Sequence, residues 1–298
     1  MFRTIDSWIN RKVAVYAVVS WHKLYGMRMK IHHLNCGTMF PRFPRGTQSI
    51  SYCLLVKTND GLLLVDTGYG VQDYKQPTMF TKVFILSLGM PRSLEETAIH
   101  QVKKLGYARD DVKHIVMTHL HSDHAGGLRD FPNAQVHVHA LEYKAIQSPK
   151  GFKERFYDAT QWSHSPKWVV HEEEEKGDWF GFRNIQLQEG LNPEVRLIPL
   201  HGHTRGHCGV AIQTSKGWLL HCGDATYPFY HKNEPAEPFK PLPFYVMSPP
   251  KWLEKGLIGE NTSRLKELHA KHGEKIQFIC SNDVITYSRQ LHIQRDAS

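Results

Sequence analysis

The chain has 298 residues, of which 41% are apolar and 22% charged. That length and apolar share support the packed core of one large or two ordinary domains and exclude a disordered chain. The formal net charge of +8 is spread without a Lys/Arg run, and the sharpest charge cluster is acidic, Glu172 to Glu175. Such a balance suits anionic partners in a general way and gives no indication of nucleic-acid binding.

Residues 1–28 read as an N-terminal extension ahead of a single domain at 29–298. Arg11 and Lys12 precede the apolar run Val13 to Val19, which imitates a signal-peptide core. The run ends at Trp21-His22-Lys23 without a small-x-small cleavage site and is too short to span a bilayer. Export therefore ranks below a cytoplasmic location, and no stable membrane anchor is expected. Five cysteines (Cys36, Cys53, Cys208, Cys222, Cys280), odd in number and without a C-x-x-C pair, favour a reducing compartment over a disulfide framework.

The strands predicted in chain order are Met29–Leu34, Ser51–Lys57, Gly61–Val65, His114–Thr118, Gln135–His139, Val195–Pro199, Gly209–Gln213, Trp218–His221 and Ile276–Cys280. Most are short, rich in β-branched residues, and bounded by Gly, Pro, Asn or Asp. Asn59-Asp60-Gly61 marks a hairpin between two of them. Helical periodicity predicts helices at Leu94–Leu105, Ala140–Ile146 and Thr262–Lys271. Two groups of strands, each with helices, predict two sheets packed together and covered by helices outside. Val71–Arg92, Lys144–Phe182 and Pro228–Gly256 read as insertions over a site. The third, rich in Pro, Phe, Tyr and Trp, suits an apolar wall over a ligand or an irregular packed loop equally well.

Chemistry concentrates after the fourth strand, in Ile115-Val-Met-Thr-His119-Leu-His121-Ser-Asp123-His124-Ala-Gly-Gly127. Four metal-ligating side chains follow an apolar strand within six positions, and the glycines let the backbone turn into a helix. Imidazole and carboxylate are the ligands a borderline divalent ion such as zinc prefers. His119 and His121 can point to one side as the strand frays. Asp123 and His124, adjacent, can address two different ions. Three further strand ends carry donors: Asp66 in Asp66-Thr-Gly68, His203 and His207 in His201-Gly-His203-Thr-Arg-Gly-His207, and Asp224 in Gly223-Asp224-Ala-Thr-Tyr227. The alternating pair His137 and His139, with His32, His33 and His114, reads as ordinary strand histidines.

These motifs resemble the metallo-β-lactamase-fold superfamily, most closely its N-acyl-homoserine lactonase-like branch, over about residues 29 to 285. H-x-H-x-D-H is highly specific; D-T-G alone is weak. The resemblance implies an α/β fold, an αββα sandwich of two mixed β-sheets flanked by helices. It implies two zinc ions, the first held by His119, His121 and His203, the second by Asp123 and His124, with Asp224 bridging. Tyr227 matches the tyrosine aimed at the substrate carbonyl, Asp66 an acceptor that orients a ligand histidine. The chain departs from the pattern at Asn282, which stands where a second-site histidine is expected. A neutral amide binds zinc less well than imidazole, which leaves the second position weakened, empty, or taken by manganese or iron.

The function implied is a metal-dependent hydrolase that opens a lactone or similar ester by attack of a metal-bound hydroxide, with Asp123 and Tyr227 as catalytic groups. Its partner is a small-molecule substrate with an apolar part; a homodimer stays open. Other substrate classes, a phosphodiester or thioester, fit the same centre. A metal-poor binding protein on a degraded scaffold has Asn282 as its only motive.

Overall fold

The computed structural model describes residues 30–40, 48–150, 153–172, 178–226 and 256–296. The described residues from Ile31 onward belong to one compact unit. The expected extension at 1–28, Tyr227, and residues 228–255 of the aromatic insertion lie outside the described residues.

Side-chain alternation along the strands feeds two cores at once. On β2 (Ser49–Thr58), Leu54 and Val56 enter one core while Cys53 and Leu55 enter another, as a two-residue side-chain period requires. Both faces are covered, so the stretch reads as one continuous apolar run. The first sheet has the order β1 (Ile31–Met39), β2, β3 (Gly61–Val65), β4 (Val112–Val116), β5 (Gln135–His139), β6 (Lys167–His171). Its first three strands are antiparallel and β3 to β6 run parallel. The second sheet has the order β11 (Ile276–Ile279), β10 (Gly217–His221), β9 (Cys208–Thr214), β8 (Val195–Pro199), β7 (Ile185–Gln186). Only β10 and β11 are parallel there.

Between the sheets, Ile50, Tyr52, Leu63, Val65 and Val116 pack with Leu197, Val210, Ile212 and Leu219. Each such side chain, fully buried, contributes about 1.5–3 kcal/mol. The helices are α1 (Val71–Lys75), α2 (Met79–Ser87), α3 (Ala98–Lys104), α4 (Ser122–Ala125), α5 (Ala140–Gln147), α6 (Leu257–His272) and α7 (Val284–Asp296). Ala98 and Val102 of α3 cover the outer face of the first sheet, and Leu265 and Leu268 of α6 that of the second. The result is the helix–sheet–sheet–helix sandwich of two mixed sheets.

Several elements differ from the sequence reading. The helix expected over Leu94–Leu105 breaks at Thr97, which is extended (φ −61°, ψ 143°) between a 3-10 turn and α3. The strand expected to reach Thr118 ends at Val116, because the Thr118 amide turns aside to donate to Asp66 Oδ1. Val71–Arg92 holds α1 and α2, and Lys144–Phe182 holds the edge strand β6. Among the described residues, no helix is long and apolar enough to cross a membrane.

Candidate metal centre

The donor residues all follow strand ends, where rigid elements hand the chain to short turns. Asp66 follows β3, His119 to His124 follow β4, His203 follows β8 and Asp224 follows β10. Asp66 sits at φ 53°, in the left-handed region that a short polar side chain tolerates better than most. Its carboxylate accepts from the Thr118 amide at 2.8 Å, the Thr118 hydroxyl at 2.7 Å and His124 Nδ1 at 2.8 Å. Gly68, at φ +62°, has no room for a side chain: a Cβ would lie 2.3 Å from the Cys36 carbonyl oxygen. This turn also grips the backbone, since the Thr67 amide and hydroxyl both donate to the His124 carbonyl. His124 is thus held by ring and by main chain.

The ligand atoms of His119, His121 and His203 all lie within 4.8 Å of one another, and so do those of His119, His124 and Asp224. His119 therefore belongs to both groups. Asp224 stands between the loops of the two sheets, with Oδ1 3.5 Å from His124 Nε2 and Oδ2 3.5 Å from His203 Nε2. Asp123 reaches the cluster through Oδ2, 3.8 Å from His124 Nε2, with its side chain 20% exposed. His207 Nε2 accepts from the Asp224 amide at 2.9 Å. Gly223, at φ +55°, brings that amide in; a Cβ there would stand 2.5 Å from the same nitrogen.

Burial pushes the His119 imidazole well below its usual range, and neighbouring histidines push it further. For His124, burial acts in the same direction, but the carboxylates of Asp123, Asp224 and Asp66 outweigh it and raise it to about 10. Burial pushes Asp224 upward, helped by Asp123 and opposed by His124. His119 Nε2 is buried without a hydrogen-bond partner, and Asp224 Oδ1 likewise accepts no hydrogen bond. Four imidazoles and two carboxylates converging around such atoms fit a divalent ion with borderline ligand preference.

Other residues fall elsewhere. Asn282 turns its side-chain oxygen to the Ser49 hydroxyl, from which it accepts. His292 lies exposed on α7. The strand histidines are not isolated: His137 bridges His114 at 3.0 Å and His171 at 2.9 Å across three parallel strands. Sequence reasoning missed the supports of the ligand loops. Gln161 Nε2 donates to the Ser122 carbonyl and to Asp73. The rings of Phe156 and Tyr157 lie 5.7 and 5.5 Å from that of His121. Glu142, fully buried on α5, accepts from the amides of Leu120 and Gly206. Nothing local in the sequence distinguishes Glu142 from a surface charge in a helix's first turn.

A sandwich of two mixed sheets with a histidine and aspartate cluster at its strand ends is the architecture of metal-dependent hydrolases. The chain belongs to the metallo-beta-lactamase superfamily, whose family profile matches residues 46–268. It is 39% identical to a Mycobacterium tuberculosis protein named "Probable metallo-hydrolase", over 88% of this chain and 83% of that protein. An N-acyl homoserine lactonase of a Bacillus species is 33% identical, over 59% of this chain and 64% of the relative. Among solved structures, a Bacillus thuringiensis AiiA variant with N-decanoyl-L-homoserine bound at its active site superposes with a TM-score of 0.62. It covers 88% of this chain and 97% of its own at 24% identity, a likeness of fold.

Proposed function

We propose that this metallo-hydrolase opens a lactone or a similar ester, with Asp123 and Tyr227 as catalytic groups and two zinc positions. The observation that carries the reading is the stance of Asp224, one carboxylate oxygen 3.5 Å from His124 and the other 3.5 Å from His203. That is the disposition of a bridging ligand. We assign the first position to His119, His121 and His203 and the second to Asp123 and His124, Asp224 serving both. A divalent ion held there supplies an activated water near neutral pH and a Lewis acid for a carbonyl.

The protein's own groups do the rest. Asp123 Oδ2, beside His124 and partly open, takes up a proton and delivers it to the leaving alkoxide. Tyr227, three positions beyond Asp224 in the sequence, donates its hydroxyl to the developing oxyanion. Apolar side chains hold the acyl part of the substrate: Phe80 and Phe84 stack, Phe156 lies tilted against both, and Phe156 also packs on His121. The lactonases among the relatives support the substrate class. Five buried cysteines, with no disulfide among them, support a cytoplasmic assignment.

Elemental analysis of the purified protein, beside turnover of a lactone panel and of bis-p-nitrophenyl phosphate, tests the reading. Bound zinc with lactone turnover supports it. Preference for the phosphodiester moves the substrate class, and a protein that takes up no metal overturns the reading.

A further inference from the structure

Glu142 lies in the first turn of α5 and is fully buried. Its Oε1 accepts from the Leu120 amide at 2.9 Å and the Tyr157 hydroxyl at 2.8 Å. Its Oε2 accepts from the Thr204 hydroxyl at 2.7 Å and the Gly206 amide at 3.0 Å. Leu120 stands between His119 and His121, and Thr204 follows His203. One carboxylate therefore ties together two loops that belong to different sheets. The fit is close: a Cβ on Gly206 would come within 2.0 Å of the Glu142 nitrogen. Burial pushes the Glu142 carboxyl up and the four hydrogen bonds oppose that shift; four bonds to one buried side chain make this tie stiff. Beyond it, His121 Nδ1 and His203 Nε2 stand 3.1 Å apart.

We propose that Glu142 is a positioning residue that sets the spacing of His121 and His203, and thereby the metal affinity of the His119–His121–His203 position. It touches neither the ion nor the substrate; it acts through the loops that carry the ligands. The assignment rests on the metal-dependent reading above. Groups that orient metal ligands from behind typically govern affinity by 10- to 100-fold.

The test is titration of metal-stripped protein with cobalt(II), followed by visible absorption and by competition with a chelator. Glu142→Gln keeps the side chain's length but turns an amide NH2 toward two of the four donors. The expected result is a first cobalt equivalent bound about 10- to 100-fold more weakly than in the wild type, with an altered absorption band. Circular dichroism of the metal-free variant should be unchanged. Wild-type affinity and an unchanged band in Glu142→Gln overturn the proposal while leaving the metal-dependent reading standing. A wild-type protein that binds no cobalt overturns both. If Glu142→Gln does not fold, Thr204→Val and Thr204→Ser decide: the first should weaken cobalt binding and the second restore it. Equal behaviour of that pair overturns the assignment.

Discussion

Asp66 Oδ2 and His124 Nδ1 stand 2.8 Å apart, with side chains 1% and 3% exposed. The imidazole is thereby held by one nitrogen and presents the other, Nε2, to Asp224. A carboxylate behind a histidine fixes both its tautomer and its orientation, which a metal ligand needs.

Replacing that carboxylate should therefore be felt at the metal. Asn tolerates the left-handed backbone of residue 66, so Asp66→Asn keeps the turn and removes the charge. We expect about 10- to 100-fold weaker binding at the His124 position, measured by chelator competition, with less change where His121 and His203 bind.

Asp123 offers a different outcome. Asp123→Asn retains shape but cannot accept and pass on a proton, so kcat on a lactone should fall by about 10²- to 10⁴-fold. Circular dichroism should be unchanged. Undiminished turnover by the metal-loaded variant would remove Asp123 from the mechanism.

His124 makes metal uptake proton-linked. Held near 10, above its ordinary 6.5, it carries a proton in the metal-free protein at neutral pH. Its contribution to stability is complete below 6.5 and is lost as pH rises through about 10, so the metal-free protein should weaken across that window. A bound ion displaces the proton. Calorimetric titration near pH 7.5 in buffers of different ionisation enthalpy should report about one proton released from this residue.

Asn282 defines a gain-of-function test. Its side-chain oxygen is engaged by Ser49, which leaves the second position to Asp123, His124 and Asp224 in our reading. Asn282→His should tighten binding of the second ion, read as metal stoichiometry under limiting zinc. An unchanged second equivalent would show that the position does not use residue 282.

The layered fold and the gathering of histidines and aspartates at strand ends were legible for a common reason: both are written in short local patterns. Alternating apolar runs bounded by turn residues located nine strands, and H-x-H-x-D-H sits at the end of one. What stayed hidden depends on contacts distant in sequence. Strand β6 is a half-exposed edge, so its alternation is too weak to stand out from the loop around it. Thr97 interrupts a periodic helix with no Pro or Gly to announce it. Glu142 looks like a solvated charge until the loops bearing Leu120 and Gly206 close over it.

The two sheets do more than frame the centre. His119 to His124 leave the first sheet, while His203 and Asp224 leave the second. An ion held among them would be a rivet through both layers, closing a long chain loop in the manner of a crosslink. Because such an ion would bind the folded chain and find no such site in the unfolded one, it would also shift the folding equilibrium in proportion to the logarithm of free metal. Resistance to heat and to proteases should then track metal supply, so that the same ligands answer for endurance as well as for turnover.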